Sequence, residues 1–180
     1  MTSRRQPGVR IREALPVDAE SIAALLKAAF LEFEPLYTPG GFRATTPATD
    51  EIGRRFAEGP IWVAEQDGRV QGVMGVQDKG DVALVRHAYV ATTAQRSGVG
   101  TKLLRHLETL TDKPILIGTW PAASWAIEFY QRNGYTVVSS VDKERLLRTY
   151  WSIPARQVET SVVLADRRWP EVQKIISTDR

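Results

Sequence analysis

Apolar positions fall into two rhythms along this 180-residue chain, and each rhythm predicts a different element. Asp81 to Val90, DVALVRHAYV, is rich in apolar and β-branched residues, the composition of a largely buried strand. After the polar turn Gln95-Arg96-Ser97-Gly98-Val99-Gly100 the spacing changes. Val99, Leu103, Leu104, Leu107 and Leu110 recur at steps of three and four, one apolar stripe of a helix.

The same reading extends to the rest of the chain. Val9–Ala14 predicts a short first strand, and Asp18 a cap for a helix whose stripe is Ile22, Leu25, Leu26, Ala29, Phe30 and Phe33. Pro35 is expected to end that helix. Residues 34–49 then form a loop dense in proline and glycine, of a length that fits a functional loop and a plain connector equally. Asp50–Ala57 predicts a second short helix, stopped by Gly59-Pro60.

Ile61–Glu65 and Val70–Val76 read as strands joined by the hairpin pair Asp67-Gly68. Ile115–Trp120 is a further strand, and Ala122–Asn133 a helix closed by Gly134. Thr136–Val141 predicts a strand, Lys143–Trp151 a helix or turn, and Val158–Ala165 the last strand. This order implies an α+β chain with a mixed sheet, a hairpin at one side and a parallel βαβ unit in the middle. The expected organisation is a disordered N-terminus (1–8), one domain (9–165) and a loosely amphipathic tail (166–180) for the body or a partner.

Composition narrows the chemistry. A net charge of +3 spread along the chain suits an anionic cofactor and is too weak to argue for nucleic acid. Zero cysteines exclude disulfides and a cysteine-bound acyl intermediate, and two histidines exclude a histidine-rich metal site, so no metal is expected. No apolar run approaches the ~20 residues of a membrane span, and no signal-peptide core is present, so the expected home is the cytoplasm, without a membrane.

The turn before the second rhythm carries the candidate chemistry. A helix that starts at Gly98 and Gly100 offers open backbone N–H groups and a positive dipole end, suited to a phosphate. It is neither Gly-x-Gly-x-x-Gly, since the glycines stop at Gly100, nor a Walker loop, since Gly100-Thr101-Lys102 reverses the required order. An ordinary glycine-containing loop is the rival reading.

Two segments together resemble the GNAT superfamily of N-acetyltransferases. Gln95-Arg96-Ser97-Gly98-Val99-Gly100 resembles its acyl-CoA pyrophosphate loop, and Ala126-Ile127-Glu128-Phe129-Tyr130-Gln131-Arg132-Asn133-Gly134-Tyr135 its second signature, in the same order and spacing. The resemblance spans about residues 9–165. It implies a mostly antiparallel sheet of about seven strands whose parallel fourth and fifth strands splay to hold acetyl-CoA, with flanking helices.

Carried over by position, the backbone from Gln95 through Thr101 would bind the pyrophosphate: Gln95, Arg96, Ser97, Gly98, Val99, Gly100 and Thr101. Ala88, Tyr89 and Val90 would pair with the pantetheine arm and polarise the thioester carbonyl. Ala126 and Phe129 would add contacts to the cofactor. Tyr130 falls where a tyrosine protonates the departing thiolate, although it equally suits an aromatic core beside Phe129 and Tyr135. Ala123 departs from the family's usual asparagine.

The general base is not readable from the family pattern, because the fourth strand offers Leu84 where some members have a glutamate. His87 is the candidate base on that strand, with a packed core histidine as its rival. Strict alternation sets His87 and Tyr89 opposite Leu84 and Arg86, unless a bulge near Val90 changes the facing. Glu32 and Glu34 suit either a cationic substrate or the surface.

The implied activity is direct acetyl transfer from acetyl-CoA to an amine of a small molecule, peptide or protein. The alternative is a non-catalytic acyl-CoA-binding regulatory module. Acceptor choice is expected in the 34–49 loop, at the ends of the fourth and fifth strands and around Trp151–Gln157. Tyr37, Phe42, Trp120 and Trp125 suit a partly apolar acceptor pocket and core packing equally, and a homodimer is compatible with the sequence.

Overall fold

A computed structural model describes residues 8–37 and 58–170, with the backbone alone for residues 30–37. The predicted second short helix and most of the long loop lie outside the described residues. β1 (Arg10–Glu13) leads through a 3-10 turn at Pro16–Asp18 into α1 (Ala19–Tyr37). β2 (Ile61–Gln66), β3 (Arg69–Asp78) and β4 (Ala83–Val90) follow, then α2 (Val99–Glu108) and β5 (Ile115–Thr119). The chain continues with α3 (Ser124–Arg132), β6 (Thr136–Val137), α4 (Ser140–Tyr150), α5 (Ala155–Glu159) and β7 (Val162–Ala165).

Among the described residues seven strands form a mixed sheet in the order β1-β2-β3-β4-β5-β7-β6. β4 and β5 are parallel through Ala83↔Ile115 and Leu84↔Leu116, as the alternation of strand and helix predicted. Asp67 and Gly68, at φ +53° and +72°, make the expected hairpin between β2 and β3.

The chain divides into two units, Met1–Val76 with Arg86–Leu110, and Gln77–Val85 with Thr111–Arg180. The first packs Ile22, Leu25 and Leu26 of α1 on Ile61, Val63 and Val73 of its strands. Here Val99, Leu103, Leu104 and Leu107 are all buried, so the predicted stripe of α2 is its core face. Leu110 is 42% exposed, because the helix ends at Glu108 and the stripe ends with it. The second unit builds its core from Leu84, Leu116, Leu146, Leu147, Val163 and Trp169.

Several expectations are corrected. α1 runs past Pro35 to Tyr37: proline in a last turn forfeits one backbone bond without stopping the turn already formed. Asp18 closes the 3-10 turn that leads into α1, accepting from the Leu15 N–H at 2.7 Å. Thr136–Val141 is strand only to Val137, because Ser139 Oγ accepts from the Asp142 N–H at 3.1 Å and starts α4. Val158 lies in α5, and the last strand begins at Val162.

Candidate active site

The first unit carries the glycine turn. After β4 a 3-10 turn at Thr92–Ala94 hands the chain to Gln95, and Arg96 and Gly98 both adopt left-handed backbone, at φ +60° and +85°. Ser97 Oγ donates to the Ala94 carbonyl at 2.5 Å and ties the turn together. Gly98 is the N-cap of α2, and no side chain caps that end. The first intrahelical bond runs from Lys102 N–H to the Gly98 carbonyl at 3.0 Å. The amides of Val99, Gly100 and Thr101 therefore have no acceptor within the helix, and they lie at its positive end. Nothing comes within 4 Å of a Cβ built on Gly98, so glycine serves there for its φ rather than to avoid a clash.

A glycine in mid-strand sets where this turn sits. A Cβ on Gly72 of β3 would lie 2.9 Å from Val99 Cγ1, 3.1 Å from Leu103 Cδ1 and 3.3 Å from the Tyr89 carbonyl oxygen. Gly72 thus lets the first turn of α2 settle directly on the sheet. The available signal was a glycine inside a strand pattern, which marks close approach.

β4 carries an irregularity nearby. Lys79 N–H bonds to the Val82 carbonyl and Ala91 N–H to the Gln71 carbonyl. Between these bonds β3 takes eight residue steps and β4 nine, so one extra residue is accommodated in β4. His87, at φ +52°, is the residue of β4 with left-handed backbone. The extra residue lies between Val82 and Ala91, a span that holds both His87 and Val90, and it breaks the simple alternation along β4.

The His87 side chain is 11% exposed, and its Nε2 lies 3.6 Å from Glu58 Oε2. The same oxygen lies 3.5 Å from Arg86 Nη2. No local pattern announced Glu58, since the approach is between residues far apart in sequence. Ala88, Tyr89 and Val90 are half-buried; Tyr89 packs against the first unit's core. Gln95, Arg96, Ser97 and Gly98 are exposed, Gly100 and Thr101 half-buried, and the Val99 side chain buried.

The second unit carries the other signature. Ala126 and Phe129 are half-buried on α3. Tyr130 is 6% exposed, edge-on to Phe129 at 5.0 Å and to Tyr135 at 5.9 Å between ring centroids. Gly134 closes the helix at φ +91°. The buried Ala123 is the N-cap of α3, and its side chain offers no hydrogen bond there. The Trp151 indole lies over β5, three of its ring atoms 3.4 Å from a Cβ position on Gly118. Among the described residues no cluster of three or more histidine, aspartate or glutamate side chains is arranged to hold a metal ion, and no helix is long and apolar enough to cross a membrane.

Residues 57–137 match the model of the acetyltransferase (GNAT) domain. No curated protein matches the sequence. Among solved structures, a GNAT-family acetyltransferase of Staphylococcus aureus is 16% identical, with 89% of this chain and 99% of that chain covered and a TM-score of 0.67. The PaiA N-acetyltransferase of Thermoplasma acidophilum, in complex with coenzyme A, is 13% identical over 89% and 99%, with a TM-score of 0.68. The ribosomal-protein-S18-alanine N-acetyltransferase of Escherichia coli is 14% identical over 88% and 93%, with a TM-score of 0.59.

Proposed function

We propose that this chain, an acetyltransferase of the GNAT superfamily, moves the acetyl group of acetyl-CoA directly to a primary amine in a ternary complex. The observation that carries the reading is the uncapped start of α2, reached through left-handed Gly98. Its three open amides, with Arg96 beside them, fit the charge and size of a pyrophosphate. The chain would hold the cofactor there through backbone donors, with Ala88, Tyr89 and Val90 of β4 lining up with the pantetheine amides. On α3, Ala126 and Phe129 would add apolar contacts.

In the transfer, the amine nitrogen bonds to the thioester carbonyl carbon and the carbon–sulfur bond breaks. A backbone N–H at the end of β4 would stabilise the carbonyl oxygen as charge develops on it. Tyr130 would give its phenolic proton to the thiolate, and His87 would take the proton that the amine sheds. Zero cysteines favour this direct route over a cysteine-bound acyl enzyme. The acceptor class is a small-molecule or peptide amine.

One observation favours the non-catalytic alternative, an acyl-CoA-binding regulatory module: Tyr130 is packed among aromatic rings like a core residue. Tyr130→Phe separates the two, because the ring that packs is kept and only the hydroxyl is lost. The acetyl-transfer reading expects turnover to fall about 100-fold or more, with the apparent affinity for acetyl-CoA and the melting temperature almost unchanged. Unchanged turnover would remove the acid role.

A further inference from the structure

We infer that Glu58 is a positioning residue for His87, and that the pair forms the proton acceptor of the transfer. This rests on the acetyltransferase reading and supplies the carboxylate that β4 itself lacks. Three observations converge on the pair. His87 lies in the stretch of β4 that takes up the extra residue, at a left-handed φ of +52°. Such backbone is strained for a non-glycine residue, and it concentrates at functional sites. The imidazole is almost fully covered, at 11% exposure, with Nε2 turned to the Glu58 carboxylate at 3.6 Å, while Glu58 is 43% exposed.

A carboxylate opposite one ring nitrogen favours the tautomer that carries its proton there. Nε2–H would point at Glu58, and Nδ1 would keep the lone pair. When the amine attacks, its proton passes to Nδ1, and Glu58 stabilises the imidazolium that results. The distance exceeds a closed hydrogen bond, as is common before substrate tightens a catalytic pair. Among the described residues, Glu58, from the segment before β2, approaches the ring, and Arg86, the preceding residue, shares the same carboxylate oxygen. β3 presents Gly75 there, with its Cβ position 3.6 Å from His87 Cδ2.

The test combines nuclear magnetic resonance with kinetics on the full chain. Only two histidines are present, so His106→Gln assigns the two imidazole signals. The ring nitrogen shifts of His87 should report the Nε2–H tautomer, and Glu58→Gln should move its titration to lower pH, whereas Glu58→Asp should restore much of it. In turnover, His87→Gln should lower kcat on the order of 100-fold. The acidic limb of the pH profile should move down with Glu58→Gln and return with Glu58→Asp, with KM for acetyl-CoA constant. An unmoved His87 titration in Glu58→Gln, or an acidic limb that persists in His87→Gln, overturns the inference. Absence of turnover by the unaltered protein with every amine, with the His87–Glu58 coupling still seen by resonance, overturns the acetyltransferase reading itself and leaves the pair as a structural contact.

Discussion

Single residues in this fold serve by backbone angle or by charge, and the two kinds predict different responses to substitution. Gly98 is needed for φ alone, so Gly98→Ala should cost about 1–2 kcal/mol of stability and weaken acetyl-CoA binding together. Calorimetric titration and thermal unfolding check it, and Gly98→Asn should be milder because asparagine tolerates the left-handed region. Arg12 serves by charge. Its guanidinium binds both oxygens of Asp18, at 2.7 and 2.8 Å, and its Nε donates to Glu65 at 2.8 Å.

The Arg12 hydrogen bond holds Asp18 below the usual carboxylate range, against the burial that opposes it. A depressed folded pKa adds stability above the unfolded value of about 3.9, and the addition is lost as pH falls through the folded value. Arg12→Met leaves that buried carboxylate unpaired, at a cost of about 3–5 kcal/mol at neutral pH. The sign should also reverse, so that lowering the pH from 7 to 5 recovers stability in the variant but not in the unaltered chain. Denaturant unfolding at several pH values checks both.

At the scale of elements, the packing of α2 fixes where the glycine turn lies. Gly72→Ala puts a methyl 2.9 Å from Val99 Cγ1, a branched side chain held in the core, so α2 must shift. The expected cost is about 1–3 kcal/mol, with weaker acetyl-CoA binding. Gly72→Ala with Val99→Ala should lose less than the two single changes added together, because the second makes room for the first.

The elements legible in the sequence were those whose signal is local and complete. The stripe from Val99 to Leu107, the Asp67-Gly68 hairpin and the Gly134 stop belong here. α4 carried a legible signal too, since Ser139 and Asp142 have capping-box spacing. It was masked by the β-branched run Thr136-Val137-Val138, in which Thr136 and Val137 are in register with β7 and the Val138 N–H donates to the Val163 carbonyl. The extra residue in β4 and the approach of His87 to Glu58 had no local signal. A bulge is a property of two strands, and the approach joins residues from distant parts of the chain.

For the whole molecule, the order of strands and helices and the two motifs carry the resemblance to the GNAT superfamily, and with it the expectation of acetyl-CoA. The motifs specify how a cofactor is held, and they say little about what receives the acetyl group. Residues 57–137 match the GNAT domain model, and the solved structures share the fold. Direct transfer from acetyl-CoA to an amine is tested by release of the CoA thiol across a panel of small and peptidyl amines. Thiol release should require an amine and equal, mole for mole, the N-acetylated product found by mass spectrometry. Saturable acetyl-CoA binding with no thiol released by any amine would contradict direct transfer.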